Sequence, residues 1–240
     1  IFNPKSGNTV MLAFDHGYIM GPTSGLERID VAIPPLIPHV DVLMGTRGIF
    51  RTCISPAARV ARCVRVTYDS TVLYDDMSNG GGADCVAVQT FIGAPGESRS
   101  LELLARTVDT ATGYGIPTLG VVAVGKDMER TEKFFLLATR VLAENGANIV
   151  KSYYCDGFEH VAAACPVPIV IAGGKKLPEP DALEMAYKAI RDGAHGVDMG
   201  RNIFQSDCPE GMAQAIGKVV HEGYTPAQAF EVYQEIKHSK

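Results

Sequence analysis

No stretch of this sequence stays apolar for the roughly 18 residues that a membrane-spanning helix needs, so no membrane partner is expected. Basic runs are missing too. With 22 basic against 27 acidic residues the formal net charge is −5, which gives nucleic-acid binding no electrostatic support. There is no C-x-x-C pair: the cysteines, at Cys53, Cys63, Cys85, Cys155, Cys165 and Cys208, are scattered and show no zinc spacing. That usage predicts a reduced, cytoplasmic setting, with Cys63 and Cys85 as small buried hydrophobes inside strands. The histidines are equally dispersed, which speaks against a histidine-built metal site, so no metal is expected. The opening Ile1-Phe2-Asn3-Pro4-Lys5 has neither a secretory leader's pattern nor an initiating methionine, so a trimmed start is the expectation. No G-x-G-x-x-G follows the first apolar run, which disfavours a dinucleotide-binding open sheet.

What is present is ordinary globular composition, 46% apolar and 20% charged over 240 residues, long enough for one α/β barrel or two small domains. Short apolar runs read as strands: Thr9 to Phe14, Asp41 to Met44, Cys63 to Thr67, Cys85 to Phe91, Thr118 to Val124, Asn148 to Lys151, Val167 to Ala172 and Gly196 to Met199. Helical spacing lies between most of them. Leu26, Ile29 and Ile33 form one such face, closed by Pro34-Pro35; Leu101, Leu104, Val108 and Ala111 form another that ends before Gly113 and Gly115. The run from Thr131 to Asn145 stops at Gly146, a good C-cap signal, and Phe158 to Ala164 is a short helix. Leu183, Ala186 and Ile190 are capped by Gly193; Met212, Ile216 and Val219 end at Gly223; Thr225-Pro226 opens a last helix with a good N-cap. Continuous apolar strands alternating with helices predict a parallel sheet covered on its outer face. The expected fold is α/β, a single (β/α)8 TIM barrel over 1–240. One stretch breaks the pattern. Between Tyr68 and Asp84 a helix is due, yet Ser78-Asn79-Gly80-Gly81-Gly82 forms helix poorly, so a missing loop within 68–84 is expected.

In such a barrel the C-terminal ends of the strands converge on one face. Here those ends carry Asp15 and His16, Arg47, Lys126, Lys151, Gly173 with Gly174, and Gly200 with Arg201. Lys151 follows directly on the buried Ile149 and Val150, then come two aromatics. Burial disfavours an ammonium and makes the amine nucleophilic near neutral pH; the bland alternative is a strand-end lysine that reaches water. The glycines let backbone N–H groups approach an anion closely, and Arg201 adds a charge-assisted contact, so these two strand ends fit a phosphate. Alternatively Gly173 and Gly174 serve only a tight turn. Lys126 either is a solvated charge or lowers the pKa of Lys151, and Lys175 and Lys176 rival it for phosphate contact. Asp15 and His16 are acid/base candidates or a loop cap and a packed rim histidine; Asp198 either orients a lysine or is structural.

Four segments carry a family resemblance: Leu12-Ala13-Phe14-Asp15-His16-Gly17, Ile149-Val150-Lys151-Ser152-Tyr153-Tyr154, Val170-Ile171-Ala172-Gly173-Gly174-Lys175-Lys176, and Gly196 through Gln205. They resemble the archaeal-type class I aldolases, over nearly the whole chain and most weakly from about Tyr68 to Asp84. Gly21-Pro22-Thr23 and Val42 through Gly48 point within that family to the branch acting in autoinducer-2 breakdown. The resemblance implies a (β/α)8 barrel assembled as a homo-oligomer, a decamer or similar ring. It implies a Schiff-base lysine at Lys151, phosphate binding at Gly173, Gly174, Gly200 and Arg201, and an aspartate near the reactive centre at Asp15. The branch implies acetyl transfer from a small phosphorylated ketone, 3-hydroxy-5-phosphonooxypentane-2,4-dione, to coenzyme A, which is then a co-substrate with no resident cofactor. Other members carry a proton-donating tyrosine near the end of the fifth strand; here Val122-Ala123-Val124-Gly125-Lys126 has none, which argues against a plain aldolase cleaving fructose 1,6-bisphosphate. A non-catalytic phosphate-binding barrel would not need Lys151, and a metal-dependent aldolase is disfavoured by the dispersed histidines.

Overall fold

The computed structural model of the chain describes residues 1–21, 23–66, 82–124 and 129–239. The poor helix former at Ser78 to Gly81, and most of the irregular stretch around it, lies outside the described residues.

Eight strands close into a barrel, every neighbour parallel: β1 (Thr9–Ala13), β2 (Val42–Thr46), β3 (Ala61–Arg65), β4 (Cys85–Thr90), β5 (Thr118–Val122), β6 (Ile149–Ser152), β7 (Ile169–Ala172) and β8 (Gly196–Met199). The ring closes where β8 pairs with β1, Val10 opposite Val197 and Met11 opposite Asp198. The strands are almost wholly buried because each has two covered faces. Alternate side chains point inward, and Met11, Met44, Cys63, Cys85, Leu119, Ile149 and Val170 fill the barrel's interior. The other parity, such as Val10, Leu12, Val150, Ile171 and Val197, packs outward against the helices.

The helices are α1 (Gly17–Met20), α2 (Ile29–Ala32), α3 (Arg47–Cys53), α4 (Glu97–Gly113), α5 (Glu132–Glu144), α6 (Phe158–Ala164), α7 (Glu179–Arg191), α8 (Arg201–Phe204), α9 (Pro209–Glu222) and α10 (Pro226–His238). Local chemistry sets several of their ends. Thr131 accepts from the Phe134 amide at the start of α5, and Gly146 takes φ 94 just past its end. Thr225 and Gln228 form a capping box on α10, with Pro226 at its first turn. α9 buries Met212, Ile216 and Val219 between barrel and outer helices, each worth roughly 1.5–3 kcal/mol of transfer free energy.

Three local expectations are corrected. α4 runs through Gly113 and turns only at Gly115, φ 70, because a glycine in the last turn costs little when the turn follows at once. The early helix is shorter than the spacing of Leu26, Ile29 and Ile33 suggests: α2 covers only Ile29–Ala32 and leaves Leu26 outside, though it does stop before Pro34-Pro35, where the chain tightens into a 3-10 turn, Pro34–His39, whose first positions need no amide hydrogen. β3 starts earlier than its apolar core suggests and ends at Arg65. That last shift matters most, because it moves an arginine to the mouth of the barrel.

Candidate active site

The inward parity that fills the barrel continues past the strand ends. It brings Asp15 after β1, Arg65 on β3, Gln89 on β4, Lys151 and Tyr153 on and after β6, Gly174 after β7, and Asp198 and Gly200 on and after β8 to one face. They line a cavity of about 200 Å³ at the C-terminal mouth. His16, Gly173 and Arg201 line it as well, so eight of the residues singled out from sequence, Lys151, Asp15, His16, Gly173, Gly174, Asp198, Gly200 and Arg201, meet in one place.

Lys151 is 8% exposed. Its Nζ lies 2.8 Å from Asp198 Oδ2 and 3.8 Å from Met44 Sδ. Apart from this ammonium, neither carboxylate oxygen has a hydrogen-bond donor among the described residues. Burial pushes the Asp198 carboxyl above its ordinary value, and the attraction of Lys151 offsets only part of that. A buried amine thus sits beside a carboxylate with raised affinity for a proton.

A second buried ion pair faces it. Arg65 Nε donates to Asp15 Oδ2 at 2.7 Å, and Arg65 Nη1 donates to Gln89 Oε1 at 3.3 Å. Burial works against the charge on Asp15, but Arg65 and then Lys151 outweigh it and hold the carboxyl below its usual range. His16 is held down to about 4, first by burial and then by Arg201, Lys151 and Arg65, with Asp15 opposing. It is therefore a neutral imidazole near pH 7; its ring packs edge-on against Phe204 at 5.3 Å, and its buried Nδ1 has no partner among the described residues.

The opposite wall is built of backbone. A Cβ on Gly200 would lie 2.3 Å from the Ala13 carbonyl oxygen and 2.5 Å from His16 Cε1. One on Gly173 would lie 2.9 Å from Asn202 Nδ2. Asn202, fully buried, donates to the Gly173 carbonyl and accepts from the Leu177 amide, both at 2.8 Å, so it clamps the β7 loop to the start of α8. Buried Arg201 Nε has no hydrogen-bond partner among the described residues. This wall leaves room for an anion against amides and a guanidinium.

Lys126 lies outside the described residues. Arg47, Lys175 and Lys176 do not line the cavity; Lys176 turns instead to Glu179 at 2.8 Å. Arg65, Gln89, Tyr153 and Asn202 escaped the sequence reading. Arg65, Gln89 and Tyr153 share the inward parity of Cys63, Ala87 and Lys151, and that period-two count would have found them. Tyr153 lies under the guanidinium of Arg130, 4.0 Å from ring centroid, beside Gly174. Asn202 carried no such signal. Among the described residues, no three His, Cys, Asp or Glu side chains gather as metal ligands would.

A family model described as the DeoC/LacD family aldolase matches residues 78–206. A protein of Escherichia coli named 3-hydroxy-5-phosphonooxypentane-2,4-dione thiolase is 52% identical, over 97% of this chain and 84% of its own length. The protein of the same name in Photorhabdus laumondii is 51% identical over the same shares. A Pasteurella multocida protein called an uncharacterized aldolase is 51% identical over 99% of this chain and 86% of its own. Among solved structures, an archaeal fructose 1,6-bisphosphate aldolase superposes with a TM-score of 0.82 at 25% identity, over 93% of this chain and 97% of that one.

Proposed function

The chain belongs to the DeoC/LacD family of aldolases, and from that premise we propose that it is a Schiff-base enzyme transferring the acetyl group of 3-hydroxy-5-phosphonooxypentane-2,4-dione to coenzyme A. One observation carries the reading: a buried lysine amine, 2.8 Å from a buried carboxylate, in a cavity whose wall at the β7 and β8 ends suits a phosphate. Relatives at 51–52% identity that bear the thiolase name support the choice of substrate.

In this reading the substrate phosphate rests on the amides of Gly173, Gly174 and Gly200 and on Arg201. That places the carbonyl next to the phosphorylated carbon at Lys151. Asp198, with its raised proton affinity, takes the ammonium proton, and the free amine condenses with the carbonyl to an imine, releasing water. The coenzyme A thiolate adds to the acetyl carbonyl. When that adduct collapses, the bond between acetyl carbon and C3 breaks, and its electron pair moves into an enamine with Lys151. A proton, formally the thiol's, ends on C3. Hydrolysis then gives dihydroxyacetone phosphate and returns Lys151. Coenzyme A is a co-substrate here rather than a resident cofactor. Asp15, locked to Arg65 as a carboxylate, and neutral His16 are left to shape and shuttle protons near C3.

A second reading, a class I aldolase cleaving a sugar phosphate such as fructose 1,6-bisphosphate, is favoured by the likeness to the archaeal aldolase. It needs a proton donor for the enamine carbon, and β5 leads into Val122 and Ala123, which can donate nothing from their side chains. Mixing the protein with the phosphorylated dione and coenzyme A separates the two: acetyl-coenzyme A and dihydroxyacetone phosphate should appear by mass spectrometry. Efficient cleavage of fructose 1,6-bisphosphate without acetyl-coenzyme A gives the second reading the site. Borohydride with substrate should add a stable mass to Lys151 in the wild type and none in Lys151→Met; a label on another lysine overturns the assignment.

A further inference from the structure

We infer that Arg65 is a catalytic residue, the oxyanion donor for the acyl carbonyl, with Gln89 as the amide that positions it and shares the contact. The inference rests on the proposed reading of the site as an acyl-transfer centre.

Three observations lead there. The first is burial: the Arg65 side chain is only 5% exposed, yet it lines the cavity. A guanidinium buried at a barrel mouth is costly unless it is paired or used. Its partner Asp15 bonds one edge, Nε, and neutralises its charge without covering the whole fork. Among five N–H donors, the bonds to Asp15 and Gln89 use Nε and one on Nη1.

The second is the amide's orientation. An arginine only donates, so Gln89 must turn its Oε1 towards Nη1, and its NH₂ is then the end left for a ligand. Gln89 lines the cavity and is half-buried. A fixed guanidinium and a fixed amide, both donors, form one polar corner in a wall otherwise closed by Ala13, Val121 and Ala123.

The third is topology. Strand order around the barrel is sequential, so β3 and β4 stand opposite β7 and β8. A substrate whose phosphate lies at the β7 and β8 ends, and whose ketone carbon meets Lys151 on β6, must point its far end across the mouth at Arg65 and Gln89. In the dione that far end is the acetyl group. As the thiolate sulfur bonds to the acyl carbon, the carbonyl's π pair moves onto its oxygen. The charge that develops there lies against donors already held in place, which is where electrostatic catalysis acts most strongly. The oxyanion then reforms its double bond as the bond to C3 breaks.

The test separates imine formation from acyl transfer. Dihydroxyacetone phosphate lacks the acyl end but has the ketone that Lys151 meets. Arg65→Lys keeps a cation beside Asp15 and loses the planar fork; Gln89→Ala removes the amide without burying a charge. Both variants should trap dihydroxyacetone phosphate on Lys151 with borohydride as fully as the wild type, which also shows that they fold. Arg65→Lys should lower kcat for acetyl transfer about 100-fold or more, and Gln89→Ala about 10-fold, with little change in the KM for coenzyme A. Acetyl transfer by Arg65→Lys within about threefold of wild type overturns the inference. So does loss of trapping in step with loss of transfer, which would place Arg65 at the lysine or in the fold alone. A wild-type protein that traps nothing and transfers nothing overturns the proposed function itself, and this inference with it.

Discussion

Replacing Lys151 by Met should damage the fold as well as the chemistry, and the damage should depend on pH. The ammonium is 2.8 Å from Asp198 Oδ2, and Asp198 is 1% exposed with no other hydrogen-bond donor to either oxygen among the described residues. At that separation and an effective dielectric near 20 the gross attraction is about 6 kcal/mol. Desolvating the two ions costs several kcal/mol each, so the intact pair comes close to breaking even. Removing one partner is another matter: the carboxylate stays buried, and the cost is about 3–5 kcal/mol. For a chain of this size that corresponds to a fall in Tm of roughly 6–20 °C. The sign of the pH dependence follows from Asp198. Its folded carboxyl is already raised above 3.8 by burial, and without Lys151 nothing nearby of opposite charge holds it down as strongly. A carboxyl with a raised folded pKa favours the folded state when protonated. The deficit of Lys151→Met is therefore full above that raised pKa and shrinks as pH falls towards the ordinary value of 3.8. The second substitution Asp198→Leu, made on top of Lys151→Met, should restore most of the lost stability and none of the activity. The assay is a double-mutant cycle by thermal or urea unfolding at neutral pH and near pH 4. If Lys151→Met is as stable as the wild type at neutral pH, or if the double variant is no more stable than the single, the pair is not coupled as described.

Other consequences can be measured separately. Arg201→Ala should cost about 1.5–3 kcal/mol in kcat/KM towards the phosphorylated substrate and much less towards a dephosphorylated analogue; equal losses on both would show that Arg201 does not read the phosphate. Gly200→Ala should lose activity together with stability, because its methyl group meets the Ala13 carbonyl oxygen at 2.3 Å, backbone that cannot give way; a soluble, fully active variant would contradict the packing. His16 should titrate near 4, so its ring resonances should hold still from pH 8 to 5, and the rate profile should show no histidine limb there. Because its folded pKa is depressed, His16 withdraws stability as pH falls from 6.5 towards 4; in His16→Asn the acid side of the stability curve should flatten over that window.

The alternation of apolar runs with helical spacing pointed to a parallel sheet, because a strand covered on both faces has no polar side to show, and the count of eight such runs with no G-x-G-x-x-G favoured the barrel over an open doubly wound sheet. Glycines past helix ends and Thr225-Pro226 located turns and caps for equally local reasons. Lys151 stood out because a lysine directly after Ile149-Val150 sits where water is scarce, and the glycines of β7 and β8 stood out by type. The limits of the reading were also local. Arg65 was taken as strand interior because the apolar run was followed to Thr67; β3 ends at Arg65 instead, which puts the arginine at the mouth. For Asp198 the sequence left two roles open, orienting a lysine or purely structural; that it meets Lys151, 47 positions away along the chain, was decided by barrel closure and register. The pairing of Asp15 with Arg65, the neutral state of His16 and the clamp made by Asn202 likewise depend on which side chains burial forces together. Local sequence determined which residue types stand at the strand ends; only the closed barrel decided which of them touch, because distances across its mouth are fixed by strand order and shear rather than by separation along the chain.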